Sequence, residues 1–114
     1  MADAADLVAK SANGAGLILA LLAMVAGLFE LRAIDSRSEA MRVATWHMMI
    51  MATVWVCFLV ALMLPMSTEL DHAMARVAAI ACAVAGFLLM GVGGWLGGRL
   101  VYEFGIAVKG QTKP

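Results

Sequence analysis

The sequence predicts an all-α integral membrane protein, with three transmembrane helices in an up-down-up bundle. Three observations carry this. Of the 114 residues, 64% are hydrophobic and only 14% are charged, whereas soluble domains run at about 45–50% and about 25%. Mean hydropathy is +0.94, and a chain this short folding in water buries only about 60–70% of its surface, so much apolar surface would stay wet. The apolar residues also fall into three runs, each close to the roughly 20 residues that cross a bilayer. Intrinsic disorder is excluded by the same composition. The strict alternation of barrel strands is missing, and lipid otherwise accepts only helices.

The first helix is expected over about residues 11–29, from Ser11 to Phe29, bounded by Lys10 and Glu30. A cleaved signal peptide is the competing reading of this run. It fits poorly, because Met1 to Asp6 holds two acids and no base, whereas a signal peptide opens basic. The second helix is expected over about residues 43–66, between Arg42 and Glu69, with Pro65 ending it. The third is expected over about residues 77–98, between Arg76 and Arg99, capped by Asp71 or Ser67. A short cytoplasmic tail, residues 99–114, follows. No linker, repeat or low-complexity run divides residues 1–114, so they form a single transmembrane domain. Both loops are short, which predicts antiparallel neighbours.

Lys and Arg near the helix ends set the expected orientation. The first loop carries Arg32, Arg37 and Arg42, and the tail carries Arg99, Lys109 and Lys113. The N-terminal segment has only Lys10, and the second loop only Arg76. The first loop and the C-terminus are therefore expected in the cytoplasm and the N-terminus outside. The acids Glu30, Asp35 and Glu39 weigh little in this rule.

In lipid, helices associate by close packing, which small residues four apart permit. The first helix offers Ala12, Gly16 and Ala20, then Ala23 and Gly27. The third offers two overlapping pairs, Gly93 with Gly97 and Gly94 with Gly98, and the edge Ala81 and Ala85. These faces serve packing within the chain or docking against another subunit, and a three-helix protein has room for both.

His47 is the candidate cofactor-binding residue, because an ionisable group inside a membrane helix is a functional hypothesis by default. Imidazole suits axial ligation of a haem iron, or a hydrogen bond to a quinone or lipid head group. The structural reading is an interfacial histidine bonded to a neighbouring backbone, with Trp46 beside it as an interface anchor. His72 lies beyond the far end of the same helix, roughly 30 Å away, so a bis-histidine site would need a second copy or a partner. Cys57 and Cys82 fall at similar depth, which makes a disulfide conceivable, yet buried Cys usually serves as a small hydrophobe. No zinc framework is present. The methionines near His47, namely Met48, Met49 and Met51, raise a copper reading; the remaining Met residues are dispersed gap fillers. Arg99 and Glu103 stand four apart, and Glu30 is placed to join them in an interfacial polar cluster with Tyr102. No nucleophile–base pair, phosphate loop or HExxH occurs, so the chain is not expected to be an enzyme. Eight basic residues balanced by eight acidic ones argue against nucleic acid as a partner.

The segment GWLGGRLVYEFGIAV, Gly94 to Val108, resembles the closing motif of a bacterial family of membrane proteins, the domain of unknown function 2231 family. Gly94, Gly97, Gly98, Leu100, Val101, Tyr102, Gly105 and Val108 fit that motif. AGLFELRAI resembles the end of an earlier family helix, with Glu30 where Asp is usual, and His47 aligns with a histidine at the start of the next. The resemblance spans about Ala15 to Val108 and implies a location in the bacterial inner membrane. It implies a four-helix fold opened by an HP-type helix that is absent here. It also implies a histidine near Phe104, absent here, so a family haem or metal site would retain only His47. No biochemical role comes with the resemblance.

The expected function is a small accessory or scaffold subunit packing against a larger inner-membrane complex, respiratory or photosynthetic. No cofactor is assigned to it. The alternative is an electron-transfer or quinone-site subunit with His47 ligating a haem b. A homo-oligomeric channel or carrier ranks last, because no charge sits at the midplane, although the Gly91–Gly98 run could unwind. The expected partners are lipid and other membrane subunits, with a homo-oligomer open.

Overall fold

The computed structural model of the chain describes residues 3–67 and 69–106. The tail from residue 107 onward, with Val108, Lys109 and Lys113, lies outside the described residues. Three helices, α1 (Ala4–Leu31), α2 (Glu39–Met63) and α3 (His72–Tyr102), follow one another, with a short 3-10 turn at Leu64–Met66. Each is long and apolar enough to cross a membrane, and no strand occurs among the described residues.

Each helix outruns its apolar core, because its first turn is built on a polar cap. Asp3 accepts from the Asp6 N–H at 2.7 Å, Ser38 Oγ from the Met41 N–H at 3.2 Å, and Asp71 from the Met74 N–H at 3.4 Å. Hydropathy marks only the lipid-facing part, so the expected spans start after these caps, of which Asp71 alone was expected from the sequence. Pro65 sits in the 3-10 turn that closes α2, where it needs no N–H donor.

The C-terminal end of α3 closes by a chain reversal that requires glycine. The Ile106 N–H donates to Leu100 O at 2.9 Å and the Gly105 N–H to Val101 O at 3.1 Å, with Gly105 at φ 65°. The bond from Gly105 four residues back is that of the αL cap, in which a left-handed residue satisfies the last carbonyls. It also folds Ile106 and Phe104 back onto Val43, Ala44, Leu96 and Leu100, the best-packed part of the molecule.

α2 is the centre of the bundle. It packs against α1 on one side and α3 on the other, while α1 and α3 make no backbone approach to each other among the described residues. Both pairings are antiparallel: Gly27 stands beside Met48, Gly86 beside Cys57 and Phe58, and Gly97 beside His47. The inward residues of α3 are Ala75, Ala79, Cys82, Gly86, Leu89, Gly93, Leu96 and Leu100, each at least half-buried. Their alternating spacing of four and three is a heptad seam, the geometry of helices crossing at a shallow left-handed angle. α1 shows the same spacing in Asn13, Leu17, Ala20, Met24, Gly27 and Leu31, but only Leu17 is fully buried. α1 is therefore the more weakly held helix.

Two polar side chains anchor α1. The Trp55 indole N–H donates to Leu17 O at 2.9 Å, and Asn13 Nδ2 donates to Phe58 O at 3.2 Å. Both bonds end on backbone carbonyls, so neither has a matching side chain in the sequence. Cys57 and Cys82 are both free thiols, consistent with packing as small hydrophobes.

Candidate functional site

The candidate site lies at the end of the bundle where α2 begins and α3 finishes. His47 is eight residues into α2, about 12 Å along its axis. Its Nδ1 stands 2.8 Å from Gly93 O. A carbonyl only accepts, so Nδ1 carries a proton, and in the neutral ring Nε2 then holds a lone pair. The ring lies across α3 because residue 97 has no side chain: a Cβ there would stand 3.1 Å from His47 Cε1. Gly97 of the closing motif thus has a direct physical task, seating the imidazole on the helix backbone.

The flanking helices leave a cleft above this ring. It is about 290 Å³, lies between α1 and α3 over α2, and has almost wholly apolar walls. Ala20, Ala23 and Gly27 form one wall, Gly97, Leu100 and Val101 the other, with His47, Met48 and Met51 at its base and Glu30 at its rim. A second cleft of about 240 Å³ shares Ala20 and Met51 with the first and continues along α2 past Trp55, Phe58 and Asn13.

Beside the cleft, Arg99 joins the two helix ends. Its Nε donates to Glu103 Oε2 at 2.6 Å, and its Nη2 stands 3.9 Å from Glu39 Oε1. The guanidinium also lies over the Trp95 ring at 5.4 Å and the Phe104 ring at 5.9 Å. Glu39 in the first turn of α2 and Arg99 in the last turn of α3 both complement their helix dipoles. Glu39, not Glu30, is the third member of the cluster, because the folded-back C-terminal turn and α2 flank Arg99 while Glu30 sits across the cleft on α1. Tyr102 is 90% exposed and belongs to the outer surface of the same end. Trp46 and Trp95, also exposed here, fit the aromatic belt of a membrane interface.

The glycines divide into two sets. A Cβ on Gly93 would stand 2.5 Å from Met51 Sδ, and one on Gly86 would stand 3.0 Å from Phe58 Cε2 and 3.1 Å from Cys57 Cβ. These face α2, as do Gly97 and, from α1, Gly27. Gly91, Gly94 and Gly98, and Gly16 on α1, meet nothing within 4 Å among the described residues. Of the two overlapping pairs, Gly93 with Gly97 is spent inside the chain and Gly94 with Gly98 is open. Ala20 of the sequence-expected packing set lines both clefts.

For a haem, the described residues offer a single histidine at this site. His47 offers one axial nitrogen, held by a carbonyl as ligating histidines commonly are. His72 starts α3, 21 residues before the Gly93 carbonyl that His47 meets, which places it about 32 Å away. Among the described residues no cluster of three His, Cys, Asp or Glu side chains forms. A second axial ligand would come from another chain. Sequence reasoning missed Asn13, Trp55 and Gly86; a lone amide within an apolar span was the available signal for Asn13, while Gly86 is visible only in the seam spacing.

No curated protein matches the chain, and no solved structure does. The family model described as "Predicted membrane protein (DUF2231)" matches residues 6–110. That match takes in all three helices, the His47 seat and the glycine turn at residue 105, so the chain belongs to the DUF2231 family of predicted membrane proteins.

Proposed function

We propose that the chain is a small accessory subunit of the bacterial inner membrane, seated by the outer face of α3 against a helix of a larger membrane complex. The carrying observation is the open glycine face. Gly91, Gly94 and Gly98 recur at spacings of three and four, and a Cβ on any of them would touch nothing. On the adjoining face of the same helix, Gly86, Gly93 and Gly97 are where α2 comes close. Interfaces between membrane helices are enriched in such residues because they let backbones approach. The open face therefore offers a neighbour the kind of surface that α3 already offers α2. Phe87 and Trp95, both well exposed, flank it. The Lys and Arg distribution favours the Arg99 end in the cytoplasm.

The double variant Gly91→Leu/Gly94→Leu tests this. Thermal unfolding in detergent is expected at or above the wild-type value, since a Cβ at either position meets nothing within 4 Å and replacing a helical glycine gains propensity. Co-migration with the partner complex after gentle solubilisation is expected to be lost. Retention of the double variant in the complex at wild-type stoichiometry would refute the assignment of this face.

A further inference from the structure

We infer that the His47 cleft is a binding site for a membrane-soluble quinol, with the hydroxyl head donating to His47 Nε2 and the apolar tail lying along α2. This is separate from the outer glycine face and stands or falls without it.

The polar side chains that border the cleft are the starting point. Gly93 O consumes the only proton of the neutral ring, so Nε2 is an acceptor. Among the described residues no side-chain nitrogen or oxygen is both sealed off and unbonded. Nε2 has no protein partner, so it is reachable from outside the protein. Glu30 at the rim contributes carboxylate oxygens, which also accept. The protein therefore brings acceptors, and the ligand must bring donors. A quinol hydroxyl is a donor; a quinone carbonyl is not.

Shape supplies the second constraint. Ligand sites combine mostly apolar walls with a few placed polar groups, at roughly 300–1,000 Å³. The upper cleft, about 290 Å³, is the size of a single ring head. The lower cleft continues from it through the shared residues Ala20 and Met51, past Trp55 and Phe58. That continuation suits an elongated apolar tail. Because α1 and α3 do not meet across α2, the groove opens sideways, and a lipid-soluble molecule could enter from the bilayer without crossing water. The bond to Gly93 O holds the ring over the bare Gly97 backbone, so the acceptor is oriented before the ligand arrives.

The test is equilibrium binding of a short-chain benzoquinol, kept reduced, to the detergent-solubilised full chain. Its dimethyl ether and its oxidised quinone serve as controls with the same ring and no donor. The quinol is expected to bind at least about tenfold more tightly than either, the equivalent of one hydrogen bond of about 1.4 kcal/mol. Two variants probe the site from different helices. His47→Phe keeps ring volume and removes the acceptor, and is expected to bring quinol down to the affinity of the ether. Ala23→Trp fills the cleft from α1 and leaves the acceptor residue His47 in place, and is expected to abolish binding of all three molecules. Should His47→Phe fail to fold, Ala23→Trp and the ether comparison still decide the question. Equal affinity for quinol, ether and quinone overturns the hydrogen-bonded head, and undiminished binding to Ala23→Trp overturns the cleft.

Discussion

Gly86→Leu is expected to disrupt the α2–α3 seam, while Gly91→Leu on the same helix leaves it intact. Even a single Cβ at residue 86 would stand 3.1 Å from Cys57 Cβ and 3.0 Å from Phe58 Cε2. Cys57 Cβ is fixed to the α2 backbone and cannot swing aside, so the helices themselves must separate. Overpacking of this kind typically costs about 1–3 kcal/mol for small additions, and leucine adds three further carbons. Removing a helical glycine gains at most about 1 kcal/mol of propensity, so the clash wins. At Gly91 nothing lies within 4 Å, and only the propensity gain remains. Thermal or denaturant unfolding of both variants in one detergent checks this. Equal stabilities would mean that α3 is not seated on α2 through this face.

Asn13→Ala combined with Trp55→Phe is expected to loosen α1 from an otherwise intact α2–α3 hairpin. Among the described residues the α1 backbone approaches only α2, and α1 buries a single residue fully and is tied by two side-chain bonds to backbone carbonyls. Interhelical hydrogen bonds in membranes average about 0.6 kcal/mol and reach about 1.7 kcal/mol. Losing both would remove roughly 1–3 kcal/mol from the helix with the least packing to spare. Cysteine-labelling rates at an α1 position such as Ala20 are expected to rise, while those at Ala79 stay at the parent value. A parallel rise at both positions would show that the three helices come apart together rather than α1 first.

The spans were legible because hydropathy alone places them, and so was the Asp71 cap of α3; the starts of α1 and α2 were not, because Asp3 and Ser38 lie beyond the apolar runs. Spacing could not say which of the overlapping glycine pairs faces inward, since 93/97 and 94/98 are equally good four-residue pairs. Only the phase of the whole heptad from Ala75 to Leu100 separates them. The Arg99–Glu103 pair followed from its spacing of four, whereas Glu39 reaches Arg99 only through tertiary packing. His47 was visible as an isolated ionisable residue in an apolar helix, and its bond to a neighbouring backbone was the expected structural reading; which carbonyl it meets was not legible, since every residue possesses one. Its use of Gly97 as a seat explains one glycine of the closing motif. The left-handed turn at Gly105 explains another.

The proposed accessory role is tested most directly by the mass of the particle that carries the wild-type chain, measured by native mass spectrometry after gentle extraction from host membranes. One copy of this 12.0 kDa chain held with larger, different subunits in fixed stoichiometry is the expected result. A lone chain, or a particle whose mass is a whole multiple of its own, would contradict it.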